Sequence, residues 1–259
     1  MQTLPSKELA KALDYETKLP LKSGALAPRW HTATLVALML AVAISGTLLL
    51  GHGTAAALPP AGAVGALPGR AAATLGSRVL SQYLPILIVN WGLVLYVSWL
   101  FRTRSALPDL LGAGWRSSGR AAVDLGLALA ACLLIQLLHV LYVRHFGVGR
   151  SAAVSALLPS TGAERLIWVL VAVSVGFCEE VVFRGYLQTQ LAAFTGSASV
   201  GLALQALLFG IAHAEQGWSM ALCIAGYGVI LGVLARVRGS LWPGIVSHIA
   251  IDLLSGFWR

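Results

Sequence analysis

The stretch VAVSVGFCEEVVFRGYL, residues 171–187, sets two adjacent carboxylates and an arginine inside an otherwise apolar run. Charge held near the middle of a bilayer is expensive, so such groups are paired or functional. On a helix Glu180 and Arg184 stand four residues apart on one face, and Glu179 points about 100° away from Glu180. Glu180 and Arg184 then neutralise each other, and Glu179 is left free to face a cavity.

The rest of the chain makes the bilayer the natural solvent for this run. Of 259 residues, 58% are hydrophobic and 11% charged, where a soluble domain carries roughly a quarter charged. Stretches of roughly 20 mostly apolar residues span a membrane. Seven candidates follow: 32–50, 84–101, 121–143, 165–187, 198–213, 219–236 and 240–257. The expected fold is an all-α polytopic transmembrane bundle. Residues 1–31 form a polar N-terminal segment, 32–164 the N-terminal spans and loops, and 165–259 a C-terminal transmembrane core. Residues 6–19 suit a short surface helix, with Leu9 and Leu13 one turn apart. The tract 54–57 resembles a cleavage site, but the flanking pattern favours an uncleaved anchor. The Ala, Gly and Pro of 51–82 read as a flexible extracytoplasmic connector.

The formal net charge of +8 does not indicate nucleic acid, because the basic residues sit in loops and are not gathered on one face. They read as topology determinants. Lys7, Lys11, Lys18, Lys22, Arg29, Arg102, Arg104, Arg116, Arg120, Arg236 and Arg238 fall on one side of a seven-span chain. Arg70, Arg78, Arg144, Arg150, Arg165 and Arg259 fall on the other. The bias puts the N-terminus in the cytoplasm, with a bacterial inner or plasma membrane as the expected location. Cys132, Cys178 and Cys223 all lie in apolar runs and read as small core residues, not a disulfide framework.

Two further apolar runs carry polar groups. The fifth candidate ends FGIAH, with Phe209 and His213 at i, i+4, and the last holds His248 and Asp252 at the same spacing. Bundles build sites from side chains on facing helices. Peptide hydrolysis needs an activated water, a stabilised oxyanion and a proton for the leaving amine. A glutamate can serve as general base, one histidine can share the water or deliver the proton, and a second can hydrogen-bond the oxyanion. Glu179, His213, His248 and Asp252 fill these roles with no cofactor. Alternatively Glu179, His213 and His248 make a two-histidine, one-glutamate zinc site with an open position for water. Composition leaves both open.

The three motifs EEVVFR (179–184), FGIAH (209–213) and HIAID (248–252), with the flanking FRGYL (183–187), resemble those of the CPBP or Abi family, the CAAX-processing and bacteriocin-processing intramembrane proteases. The resemblance covers roughly 165–257. It implies a glutamate-dependent endopeptidase acting on a membrane-embedded or lipidated protein or peptide. On the matching positions it implies that Glu179 and His213 activate water, while His248 and Asp252 stabilise the oxyanion. Glu180, Arg184 and Phe209 are supporting residues. Many members carry Asn where this chain has Asp252. An ionised carboxylate repels an oxyanion, so Asp252 acts either protonated or by orienting His248.

Other readings compete. A proton-coupled transporter also keeps acidic and histidine relays in the bilayer, but no inverted repeat is visible, and only Gly226, Gly228 and Pro243 suggest helix breaks. A catalytically inactive scaffold does not account for the complete polar set. Cys178 beside Glu179 can be read as a nucleophile, though plain packing fits it better. Taken singly, Phe209 is packing, His213 caps a helix end or sits at the interface, and His139, Glu215 and Trp218 are interfacial or loop residues. One conflict stands out. With the fourth span ending at 187, Glu179 lies toward its cytoplasmic end and His213 at the far end of the fifth, too far apart for straight helices to join.

Overall fold

A computed structural model describes residues 25–51, 75–101, 110–115, 117–147 and 151–257. The expectations for 6–19 and 54–57 lie outside the described residues, as do Lys7, Lys11, Lys18, Lys22, Arg70, Arg102, Arg104, Arg116, Arg150 and Arg259. Among the described residues the chain is all-α. Helices α1 (Arg29–Gly51), α2 (Leu75–Arg78), α3 (Leu84–Phe101), α4 (Ser118–Phe146) and α5 (Ala152–Leu157) precede the core. The core holds α6 (Gly162–Glu179), α7 (Gln188–Thr195), α8 (Ala198–Ile211), α9 (Trp218–Arg238) and α10 (Trp242–Phe257). A π-helical turn, Val79–Tyr83, fuses α2 to α3, and a second, Glu180–Leu187, fuses α6 to α7.

Helix boundaries follow local chemistry. Ser117 caps α4 by accepting from the Arg120 N–H, and Ser197 caps α8 from Val200. Thr161 and Glu164 form a reciprocal capping box at the start of α6, satisfying two orphan donors at once. Glycines with positive φ end the longest elements: Gly147 after α4, Gly196 after α7 and Gly239 after α9. Only glycine takes that backbone without a Cβ penalty.

Five helical stretches are long and apolar enough to cross a membrane: Arg29–Leu48, Leu75–Trp99, Ser118–Phe146, Gly162–Thr195 and Trp218–Arg238. The protein is an integral membrane protein. Of the other two expected spans, 198–213 is the shorter helix α8 and 240–257 is α10, of 16 residues. The stretches differ in burial. Half of the apolar window in Gly162–Thr195 is buried, against 11% in Leu75–Trp99, so the former is central and the latter lines the periphery. Leu129, Leu133, Leu166 and Leu222 are exposed, as expected of residues facing lipid tails.

Two expected boundaries are corrected. Helix begins at Leu75, inside the expected connector 51–82. Arg78 is tolerated there because it pairs with Glu164 at 2.7 Å and donates to the carbonyls of Ala156 and Leu158. The fourth span does not stop at 187 but runs 34 residues, Gly162–Thr195. Gln188 and Gln190, which read as a loop, are buried within it. Gln188 donates to the Gly232 carbonyl and Gln190 binds the backbone of Leu26 and Ala27.

The second correction resolves the conflict in the sequence reading. Gly196 is the turn between α7 and α8, and Glu179 and His213 lie equally far from it along the chain. At 1.5 Å per residue both stand about 25 Å from the turn. The antiparallel helices therefore bring them to one level, halfway along the long helix and not near its end.

Candidate active site

The motif helix changes hydrogen-bonding pattern at the motif. Glu180–Leu187 is π-helical and all eight residues are buried. Such segments are rare and concentrate at functional sites. Across the π segment lie α8, bearing Phe209, with His213 two residues past its end, and α10, bearing His248 and Asp252.

The structure brings all four candidate catalytic side chains together. Glu179 Oε2 lies 3.8 Å from His213 Nε2 and 3.6 Å from His248 Nε2. His248 Nε2 lies 4.0 Å from Asp252 Oδ2. These separations exceed a direct hydrogen bond, so the groups converge on shared space without binding one another. The far nitrogens are anchored. His213 Nδ1 sits 2.8 Å from the Phe209 carbonyl. A carbonyl only accepts, so Nδ1 carries the hydrogen and a neutral His213 presents its Nε2 lone pair toward Glu179. His248 Nδ1 sits 3.0 Å from Glu180 Oε1, an oxygen already paired with Arg184 at 2.8 Å. Nδ1 therefore donates, and Nε2 faces Glu179 and Asp252.

Burial separates the two glutamates. The side chains of Glu180 and Arg184 are sealed from solvent, whereas Glu179, His213 and Asp252 keep 14%, 21% and 25% exposure. The Glu180–Arg184 pair expected from spacing is thus the closed back wall, whereas Glu179 keeps part of its side chain exposed while its Oε2 is buried without a hydrogen-bond partner among the described residues. Phe209 does more than fill space. Its ring lies 4.1 Å from Arg184 Cζ and meets the Phe183 ring edge-on at 4.9 Å, so the buried guanidinium rests between a carboxylate and an aromatic face.

Sequence reasoning missed four contacts. It offered the orienting of His248 as one of two roles for Asp252, but the hydrogen bond that orients the ring comes from Glu180. Asp252 is instead held through its backbone carbonyl, which accepts from Trp168 Nε1 at 2.9 Å. It also missed two glycines. A Cβ on Gly244 would stand 2.8 Å from Glu180 Oε2, and one on Gly176 would stand 3.0 Å from the Ile249 backbone nitrogen. These bare positions let α6, the π segment and α10 approach closely enough for His248 to reach both glutamates. A glycine four residues before His248 was the available signal. Cys178 is buried in the apolar core. His139 Nδ1 lies 2.7 Å from the Tyr227 hydroxyl, away from the site.

Among the described residues, no three His, Cys, Asp or Glu side chains are grouped so as to hold a metal ion.

Residues 161–254 match the family model described as Type II CAAX prenyl endopeptidase Rce1-like. The match begins at the cap of α6 and ends within α10, so it contains every residue of the site. No curated protein and no solved structure matches the chain.

Proposed function

Because residues 161–254 carry an Rce1-like domain of the CAAX protease family, we propose that this chain is an intramembrane endopeptidase that cuts a lipidated, membrane-associated protein or peptide with water activated by Glu179 and His213. The observation carrying this reading is the convergence of two histidine Nε2 atoms on one carboxylate oxygen, at 3.8 and 3.6 Å, midway along a membrane-spanning helix.

A water placed about 2.8 Å from Glu179 Oε2 and from His213 Nε2 donates to both. Glu179 takes a proton as the water oxygen attacks the scissile carbonyl carbon. The negative charge that builds on the carbonyl oxygen meets the Nε2–H of an imidazolium His248, whose Nδ1–H stays with Glu180. A protonated Asp252 is the second donor. The tetrahedral intermediate collapses as the C–N bond breaks, and the proton held by Glu179 or His213 passes to the leaving amine. The products are a new carboxylic acid and a new amine, and transfer of the acid proton leaves them as carboxylate and ammonium. Preorganised donors of this kind stabilise the transition state because they need no rearrangement when charge develops.

The site lies deep in the bundle, where water-filled access is a requirement of hydrolysis. Partial exposure of Glu179, His213 and Asp252 supports such access. Zinc bound by Glu179, His213 and His248 would supply a Lewis acid; no step here runs through a metal. The bias of basic residues supports a cytoplasmic N-terminus. It also puts the Gly196 turn and the Gly239 loop on the cytoplasmic side.

The test is cleavage of a prenylated CAAX-type peptide by the purified chain in detergent or liposomes. Glu179→Gln and His213→Ala are expected to abolish cleavage with the fold intact, since Gln keeps the shape but cannot take the proton. Exhaustive chelation is expected to leave activity unchanged. Wild-type cleavage by both variants would end the proposed mechanism. Loss on chelation with recovery on adding zinc would replace it by the metal-based one.

A further inference from the structure

We propose that α1, outside the matched domain, is a working part of the site: His31 and Thr32 grip the Tyr186 hydroxyl and so hold the π-helical segment, with Glu180 and Arg184, in register for cleavage. This rests on the endopeptidase reading above.

Tyr186 lies two residues beyond Arg184 in the π segment and is fully buried. Its hydroxyl is 2.8 Å from His31 Nδ1 and 2.9 Å from Thr32 Oγ1. His31 is itself fully buried. It is stacked on Tyr96 of α3 at 4.2 Å with a 10° tilt, and its carbonyl accepts from the Tyr96 hydroxyl. Among the described residues Nε2 of His31 has no partner, so the Tyr186 contact is the polar anchor of that ring. Gln190 binds the backbone of Leu26 and Ala27 just ahead of α1, so α1 and the residues leading into it grip the long helix on both sides of the junction between the π segment and α7.

A π segment needs such a grip. It carries in effect one extra residue relative to α-helix, and its hydrogen-bond pattern is uncommon. Relaxation to α-helix would turn the residues on one side of it by about 100° relative to the other. Glu180 and Arg184 sit inside the segment, and Glu180 orients His248. The Tyr186 grip therefore acts on the chemistry through Glu180, which makes Tyr186, His31 and Thr32 positioning residues. Their part is to hold the segment in register, and they play no part in proton transfer.

The experiment uses the full chain and a prenylated CAAX-type peptide, measuring kcat, KM and Tm. Tyr186→Phe keeps the ring and removes only the hydroxyl. Its kcat is expected to fall about 10- to 100-fold, the scale of a small misplacement of reacting groups, with KM changed less than about twofold. Two His31 variants separate grip from packing. His31→Phe keeps the stack on Tyr96 but loses the hydrogen bond, and is expected to lose kcat. His31→Asn loses the stack but keeps a polar group near Nδ1, and is expected to lose Tm while retaining most of its kcat. If Tyr186→Phe does not accumulate, the His31 pair decides the matter. Wild-type kcat in Tyr186→Phe or His31→Phe, or kcat that merely follows Tm across the variants, overturns the proposal. Glu179→Gln in the same assay keeps the two failures apart: if it cleaves like wild type, the endopeptidase reading falls and this proposal with it.

Discussion

Gly176→Ala should damage catalysis through helix spacing alone. The residue lies on α6, three positions before Glu179, and faces Ile249, the neighbour of His248. A methyl placed there would stand 2.8 Å from Ile249 Cγ1, 3.0 Å from its backbone nitrogen and 3.3 Å from its Cα. The Cγ1 clash can be relieved by a rotamer change, but the backbone atoms cannot step aside alone. Relieving the nitrogen contact to an ordinary 3.4–4 Å requires α10 to retreat by about 0.4–1 Å. His248 retreats with it, and the 3.6 Å separation from Glu179 Oε2 lengthens by a similar amount. Overpacking of this kind costs about 1–3 kcal/mol of stability, and a displacement near 1 Å can cost about 100-fold in rate.

The assay is kcat for CAAX-type peptide cleavage per folded molecule, with Tm measured in parallel. Gly201→Ala is the control. Its Cβ would stand 2.5 Å from the Ala192 nitrogen, a more severe overlap, but near the Gly196 turn and far from the site. Both variants should lose Tm, and Gly176→Ala alone should lose about 10- to 100-fold in kcat. Wild-type kcat in folded Gly176→Ala, or an equal loss in Gly201→Ala, would refute the spacing argument.

Other outcomes follow from the same geometry. Arg184→Ala should lower Tm and yield as well as activity, because it strands Glu180 in the core at a cost of about 3–5 kcal/mol; a variant that folds normally and loses only cleavage would mean that Arg184 acts on substrate. Asp252→Asn should retain near-wild-type cleavage, since Glu180 supplies the bond that orients His248 and Asn can still donate; a large loss with a shifted pH profile would show that the Asp252 charge is needed. Glu180→Gln should lower both Tm and kcat, whereas Glu179→Gln should lower kcat alone, and equal Tm losses would contradict the division of roles. Cysteines introduced one at a time at Ser197 and Gly217, in a chain freed of its native thiols, should be labelled by an impermeant thiol reagent from the cytoplasmic and the opposite side respectively; the reverse pattern would invert the proposed topology.

Much of the site was legible because its parts are local. Glu180 and Arg184 meet as their i, i+4 spacing requires; His248 and Asp252 share the last helix as expected, whereas His213 stands just past the end of the helix expected to bear it. The boundaries were less legible, for one physical reason at both ends of the bundle. Hydropathy treats a polar side chain as a sign of water. Gln188 and Gln190 stay buried because their amides satisfy backbone groups of neighbouring segments, and Arg78 stays buried because Glu164 and free carbonyls receive it. None of these partners is near in sequence, so each polar residue looked like a loop. The π segment was illegible for a related reason. Nothing in the propensities of EVVFRGYL demands it, and the contacts that hold it come from α1, α3, α8 and α10.

The adjacent glutamates show how one residue of register creates two chemical roles. The same side chain, turned about 100°, meets opposite surroundings. Glu180 turns inward, where Arg184 and His248 both claim one oxygen and the bare α-carbon of Gly244 leaves room for the other. Fully buried and doubly engaged, it has no freedom to take a proton from water. Glu179 keeps part of its side chain exposed, with two histidine nitrogens near it and neither bonded to it. A carboxylate held that loosely is unfavourable as a structural element, since burial with incomplete pairing carries a desolvation cost. The arrangement becomes favourable when water and substrate complete it. Glu180 therefore sets the aim of His248, and Glu179 remains available for the chemistry.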